Sequence, residues 1–68
     1  GIYNVTQPEI SQELQRQKVV AILAAQPDLV VSANPGCILQ IVAGLRAAGS
    51  SVPVVHLMRF LDDPAVFA

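Results

Sequence analysis

The sequence predicts an α/β protein in which two parallel strands and the helix between them form a βαβ unit. Two short apolar runs, "DLVVSA" and "VPVVH", are typical of strands, and the segment between them has the start and stop signals of a helix. A crossover of this length between strands of one sheet is right-handed, and the strands it joins are parallel. Because a helix is predicted on either side, the expected order is α-β-α-β-α, a Rossmann-like fragment of a larger domain.

The first helix is predicted from a capping signal near the start of the chain. Thr6 and Glu9 have the spacing of a capping box, in which each side chain bonds to the backbone amide of the other residue. Pro8 suits the first turn, where a missing N–H costs nothing. We expect the helix to run from Glu9 to Ala25, and its second half, "VVAILAA", is apolar on every side, which predicts a deeply buried end. A strand is the alternative for that half, because three of its residues are β-branched.

The middle and end of the chain supply the βαβ unit and a last helix. The run "DLVVSA" is apolar throughout, which is the pattern of a strand covered on both faces. Asn34 is a strong N-cap and Pro35 fits the first helical position, so the second helix is expected to begin there and to end at Gly49. Pro53, near the start of "VPVVH", predicts an edge strand or a proline at the first position of the strand. The segment "LMRFLDD" is predicted to be a short helix that stops before Pro64.

The composition indicates that much of the chain's apolar surface must be buried against further polypeptide. Of its 68 residues, 53% are apolar and 13% are charged, about half of the usual charged share. Parallel sheets are covered on both faces by helices, and two strands alone do not provide such a structure. We therefore expect residues 1–68 to be a single fragment of a larger domain, or a unit that self-associates. The missing initiator methionine also suggests a processed or excised piece.

Charge and hydropathy exclude several classes of function. The formal net charge is −1, and the four basic residues are scattered, so no patch for nucleic acid exists. No apolar run approaches the roughly 20 residues that span a bilayer, and the first ten residues lack the order of a signal peptide. The single cysteine cannot form an internal disulfide, so a cytoplasmic location is expected.

The one cysteine, Cys37, is the residue on which a functional interpretation depends. It lies at the third helical position after a buried strand, at the carboxyl edge of the sheet where α/β proteins bind ligands. The partial positive charge of a helix start favours a thiolate, which is the form that a nucleophile or a metal ligand requires. Gly36 beside it permits close approach of a ligand.

Three interpretations of Cys37 are open from the residues alone. Cysteines outside disulfides are often buried and only fill space. A second interpretation pairs Cys37 with His56, which ends the next strand at the same edge, although no third orienting residue is evident. The third is metal ligation with ligands supplied from elsewhere. The adjacent Asp62 and Asp63 point about 100° apart on a helix and make no acid–base pair.

Three segments carry a resemblance to a known family: "GIYNVTQPEISQELQRQK", "SANPGCILQIVAGLRAAG" and "VPVVHLMRFLDD". They resemble the end of the second cysteine-rich (CCG) domain in the iron–sulfur subunit of glycolate oxidase. Related subunits serve lactate utilisation and heterodisulfide reductase. The most specific element is "NPGC" with the "LQI", "GL" and "VVH" that follow it, and "IYNVTQPE" is similar to the run after the family's Cys-Cys-Gly motif.

The resemblance implies an electron-transfer subunit of a glycolate-oxidase-type (2-hydroxy acid) dehydrogenase. Members of the family carry 4Fe–4S sites and pass electrons from a flavin-containing dehydrogenase subunit, with other iron–sulfur subunits, toward an acceptor at the inner membrane. The cysteine of "NPGC" is a cluster ligand in relatives. The resemblance therefore implies that Cys37 is the last thiolate ligand of an iron–sulfur cluster, held in the loop of Asn34, Pro35 and Gly36.

The chain departs from the family pattern because it contains neither the Cys-Cys-Gly motif nor the ferredoxin-type cysteines. One thiolate cannot hold a cluster that normally takes four, so the isolated chain is expected to be inactive. The alternative, from a different class, is a non-catalytic α/β interaction module. Such a module would self-associate through its apolar surface as a homodimer, with Cys37 merely buried.

Overall fold

The computed structural model describes residues 1–6 and 11–63, and in these residues it has three parallel strands and three helices. The α/β class and the predicted βαβ unit are confirmed. A strand near the start of the chain adds a second, overlapping βαβ unit, so the order begins with a strand rather than a helix. The elements are β1 (Ile2–Val5), α1 (Gln12–Ala25), β2 (Leu29–Ser32), α2 (Pro35–Ala47), β3 (Val54–His56) and α3 (Leu57–Asp62).

The N-terminal strand β1 is absent from the order predicted from the sequence. It pairs in parallel with β2, in a register that begins with Ile2 opposite Leu29 and ends with Val5 opposite Ser32. Of its four residues only Val5 is buried, so β1 lacks the apolar run that marks a buried strand. Its pairing with β2, not its own sequence pattern, makes this segment a strand.

Helix α1 begins later than the sequence predicts. Ser11 is its N-cap, and the Ser11 hydroxyl oxygen accepts a hydrogen bond from the amide of Leu14 at 3.0 Å. The predicted capping box of Thr6 and Glu9 therefore does not start α1, and Glu9 itself lies outside the described residues. The predicted end of the helix at Ala25 is confirmed.

The second half of α1 is less buried than its composition predicts. Only Val19 and Ile22 of this helix are buried, whereas Val20 is 54% exposed and Leu23 is 38% exposed. The prediction of a deeply buried helix end is wrong because the described part of the chain covers only one side of α1. The other sides leave apolar surface in contact with water.

The strands form a sheet in the order β1-β2-β3, and the core lies between this sheet and helices α1 and α2. Crossovers between parallel strands of one sheet are right-handed as a rule, so two crossovers that advance in the same direction place both helices on the same face. The buried cluster agrees, because Val19 and Ile22 of α1 and Ile41 and Leu45 of α2 pack together with Val30 of β2. The helices thus cover one face of the sheet.

The central strand β2 is buried on both faces, as its apolar run predicts. Every one of its four residues is at most 3% exposed. The short helix α3 lies against β2 and β3. Strand β3 is at the edge of the described sheet, as Pro53 predicts, and the carbonyl of Pro53 accepts the Val30 N–H at 2.9 Å.

Helices α2 and α3 follow the sequence prediction closely. Asn34 caps α2, Pro35 is its first residue, and Gly49 adopts a φ of 85° just beyond its C-terminal end. The predicted stop of α3 before residue 64 is consistent with its end at Asp62. None of the helices in the described residues has the length and apolar content that crossing a bilayer requires.

Helices α1 and α2 approach each other closely at Gly44. A Cβ atom added to this glycine would lie 2.6 Å from Cγ2 of Val19, which is too close for two carbon atoms. Val19 is β-branched and buried in the core, so its side chain has little freedom to move aside. The missing side chain of Gly44 therefore sets the spacing of the two helices.

We predict that Gly44→Ala destabilises the fold. Alanine gains about 1 kcal/mol over glycine in helix propensity, but overpacking a core contact costs roughly 1–3 kcal/mol, so a net loss is expected. Chemical denaturation measures the free energy of unfolding. In a Val19→Ala background the same change should become stabilising, because the clashing methyl group is gone; a gain in both backgrounds would contradict the packing argument.

An ion pair joins the start of β1 to the residue before β2. The ammonium group of Gly1 donates to Oδ2 of Asp28 at 2.8 Å, and the Asp28 N–H donates to the Gly1 carbonyl at 2.7 Å. The hydrogen bond and the positive charge of the ammonium lower the pKa of the exposed Asp28 carboxyl.

This ion pair predicts a pH dependence for a chain that begins at Gly1. Because the pKa of Asp28 is lower in the folded state, its contribution to stability is present above the pKa of the unfolded state and is lost as pH falls through the folded value. Acetylation of the Gly1 amine should raise the pKa of Asp28, measured by NMR titration of its carboxyl group. An unchanged titration after acetylation would show that the ammonium does not act on Asp28 in solution.

Candidate functional site

The candidate site is the start of helix α2, where the sequence placed Cys37 at the third helical position. The structure confirms this position, because α2 begins at Pro35. Asn34 has an extended backbone with φ −111° and ψ 115°, and its Oδ1 accepts the Cys37 N–H at 3.1 Å. The Asn34 carbonyl accepts the Ile38 N–H at 3.0 Å. Asn34 therefore accepts the N–H groups of both Cys37 and Ile38, and these two hydrogen bonds fix the backbone around Cys37.

Ser32 ties the end of β2 to this helix start, and sequence reasoning missed it. The Ser32 hydroxyl oxygen accepts the Asn34 N–H at 3.2 Å, and the Ser32 side chain is completely buried. A serine two residues before an asparagine is a known local turn pattern, so the signal was present in "VVSAN". Ser32 holds the capping asparagine in place and so orients the start of α2.

Gly36 and Pro35 complete the loop, and both are exposed. A Cβ added to Gly36 would lie 3.1 Å from Oδ1 of Asn34, which is the oxygen that caps the Cys37 amide. The glycine therefore leaves room for the cap. Its exposure is compatible with the predicted approach of a ligand.

The site lies at the carboxyl edge of the parallel sheet. Ser32, the last residue of β2, is opposite His56, the last residue of β3. Because parallel strands end at the same edge, Cys37 and His56 both belong to this edge, as the sequence predicts. The structure therefore places Cys37 and His56 at the same carboxyl edge of the sheet.

The hydrogen bonding of His56 does not support its use as a base for Cys37. Nδ1 of His56 accepts the Met58 N–H at 3.1 Å and so caps helix α3. With Nδ1 as acceptor, the proton of the neutral ring is on Nε2, and neither nitrogen has a lone pair left for a thiol proton. The Cys–His enzyme is the weakest of the three interpretations.

Cys37 is buried, with 1% of its surface exposed. In the described residues, no group of three or more histidine, cysteine or acidic side chains has the arrangement of a metal site. Iron–sulfur clusters are held by several cysteine thiolates, and the described residues contain one cysteine, so they do not supply a complete set of ligands. A cluster on this sulfur requires further ligands from outside the described residues and a change in what covers the thiol.

The chain is similar to known proteins along nearly its whole length. Residues 1–42, which extend from β1 into α2 and include Cys37, match the family model described as a cysteine-rich domain, CCG. The chain is 40% identical over 67 residues to a probable glycolate oxidase iron–sulfur subunit of Bacillus subtilis, covering 96% of this chain and 15% of that protein. No solved structure matches the chain.

Two further relatives are shorter proteins. The chain is 31% identical over 61 residues to the uncharacterized protein YkgE of Escherichia coli, covering 90% of this chain and 26% of that protein. It is 29% identical over 62 residues to lactate utilization protein A of Oceanobacillus iheyensis, covering 91% of this chain and 25% of that protein. The chain thus spans between about a seventh and a quarter of these relatives. Because the family model matches more than half of its length, the chain belongs to the CCG cysteine-rich domain family.

Proposed function

We propose that this chain is part of an iron–sulfur electron-transfer subunit of a glycolate-oxidase-type dehydrogenase, which oxidises a 2-hydroxy acid. In this proposal Cys37 is one thiolate ligand of an iron–sulfur cluster in the parent protein. Asn34, Pro35 and Gly36 hold that ligand in position. Other polypeptide supplies the remaining ligands, so the isolated chain has no activity.

One observation carries the proposal: Cys37 occupies the third position of a capped helix at the carboxyl edge of a parallel sheet. The partial positive charge at a helix start favours the negative charge of a thiolate. Membership of the CCG family and the name of the Bacillus subtilis relative support an iron–sulfur role for that thiolate. The parent complex would include a flavin-containing subunit and other iron–sulfur subunits, in the cytoplasm and peripheral to the inner membrane.

A second function is favoured by the burial of the thiol. With 1% of Cys37 exposed, the chain is also compatible with a non-catalytic α/β interaction module in which the cysteine only packs. The two functions differ in what the thiol does when the rest of the parent protein is present. In the module it stays covered, and in the electron-transfer subunit it binds iron.

The in-frame sequence upstream of the codon for Gly1 separates these functions first. Further cysteine clusters, with a Cys-Cys-Gly motif close to Gly1, would supply the missing ligands and support the iron–sulfur proposal. A reading frame that starts at or near Gly1 and adds no cysteine would contradict it, because one thiolate does not hold a cluster.

We predict that Cys37→Ala in the parent protein lowers the content of iron and acid-labile sulfide after anaerobic reconstitution. The expected loss is about one cluster per chain, since a ligand thiolate is removed. The fold should persist, because cysteine and alanine differ by one buried atom, and circular dichroism checks this. The measurement is iron and sulfide per chain, together with the visible absorption of the cluster.

Ile41→Val is the matched control for this variant. Ile41 lies one turn after Cys37 on α2 and is also fully buried, and this truncation costs about 0.5–1.5 kcal/mol without touching a thiol. It should retain the wild-type iron content. Equal iron in Cys37→Ala and in the wild type would contradict the ligand role and leave the packing function.

A further inference from the structure

The side chain of Gln40, on helix α2, has a buried oxygen that lacks a hydrogen-bond donor. Gln40 as a whole is half-buried, but its Oε1 is covered, and no group in residues 1–6 and 11–63 donates to this oxygen. Within these residues it is the one buried side-chain oxygen or nitrogen in this condition. Native structures contain few such groups, because a buried amide without a partner lowers stability. The placement of this amide therefore requires a partner from elsewhere.

Gln40 lies on the same side of α2 as Cys37. The two residues are three positions apart, and residues with this spacing are neighbours on a helix, with Cβ atoms about 5–6 Å apart. Long side chains on a helix lean toward its N-terminus, so the Gln40 side chain extends over the turn that contains Cys37. The Cys37 side chain is itself buried at this turn. The geometry of the helix thus places the buried end of the amide next to the proposed ligand position.

Helix α1 holds the backbone of Gln40 in place. Nε2 of Gln15 donates to the Gln40 carbonyl oxygen at 2.5 Å. One turn further along α2, the missing side chain of Gly44 leaves room for Val19 of α1. The Gln40 side chain therefore begins from an anchored position in the contact between the two helices.

An iron–sulfur cluster supplies what the buried end of this amide lacks. A half-turn about the last side-chain bond exchanges the two ends of a glutamine amide, so the buried end presents either a carbonyl oxygen or an N–H donor. The described residues offer no donor to the oxygen. The sulfur atoms of a cluster carry negative charge and accept hydrogen bonds, which help to set its reduction potential. With a cluster on Cys37, the nitrogen end has an acceptor.

We propose that Nε2 of Gln40 donates a hydrogen bond to a sulfur of the cluster that Cys37 ligates, and that this bond raises the reduction potential of the cluster. The inference rests on the proposed function, because it requires a cluster at Cys37. Reduction makes the cluster more negative, so a hydrogen-bond donor stabilises the reduced form more than the oxidised form. Gln40 adjusts the potential and does not hold the iron.

The reduction potential of the cluster in the parent protein tests the proposal. Gln40→Met keeps the length of the side chain but removes its donor, so the potential should become more negative while iron per chain stays at the wild-type level. Gln15→Met is the matched control, because its amide has a partner in the Gln40 carbonyl, and it should keep the wild-type potential. An unchanged or more positive potential in Gln40→Met, or a loss of iron, overturns the donor role.

The stability of the cluster-free chain gives a readout that needs no iron. Gln40→Met replaces a buried amide that lacks a partner, so the equilibrium constant for folding, measured by urea denaturation, should rise roughly tenfold. Gln15→Met breaks an existing hydrogen bond and should lower this constant. If both changes lower it equally, the Gln40 amide has a partner within the chain, and the inference is overturned.

Pulsed electron paramagnetic resonance of the reduced cluster tests the contact itself. With nitrogen-15 in the glutamine side chains, a nitrogen coupling is expected in the wild type and in Gln15→Met and should be lost in Gln40→Met. Cys37→Ala separates this inference from the proposed function. Iron content that does not depend on Cys37 overturns both, whereas iron that depends on Cys37 without a coupling from Gln40 overturns the role of Gln40 alone.

Discussion

The structure depends on the burial of β2 between two neighbouring strands and between two layers of the fold. Its four residues are all at most 3% exposed, and each buried valine or leucine side chain contributes about 1.5–3 kcal/mol. The register of both other strands is set against β2, and Ser32 at its end holds Asn34 through a hydrogen bond. The position of Cys37 is therefore a consequence of where β2 lies.

The sequence predicts the parts of the fold whose signals are local. The apolar run of β2, the Asn34 cap, the Gly49 stop and the proline before β3 each act within a few residues, and all four are found in the structure. The failures concern elements that depend on distant partners. Strand β1 exists because β2 pairs with it, and the exposure of the second half of α1 depends on how much chain is present to cover it. The pattern of apolar residues in the sequence predicts neither the pairing of β1 with β2 nor the exposure of α1.

Some features of the candidate site follow from the local sequence, and others are known only from the structure. The helical position of Cys37 and its Asn34 cap follow from the residues of the loop, and so does the shared edge with His56 once the strands are parallel. Only the structure shows that Nδ1 of His56 caps α3, whereas the hydrogen bond of Ser32 to Asn34 had a local signal in the sequence. The burial of Cys37 also came from the structure. It changes the argument, because a covered thiol needs both further ligands and an opening before it binds iron.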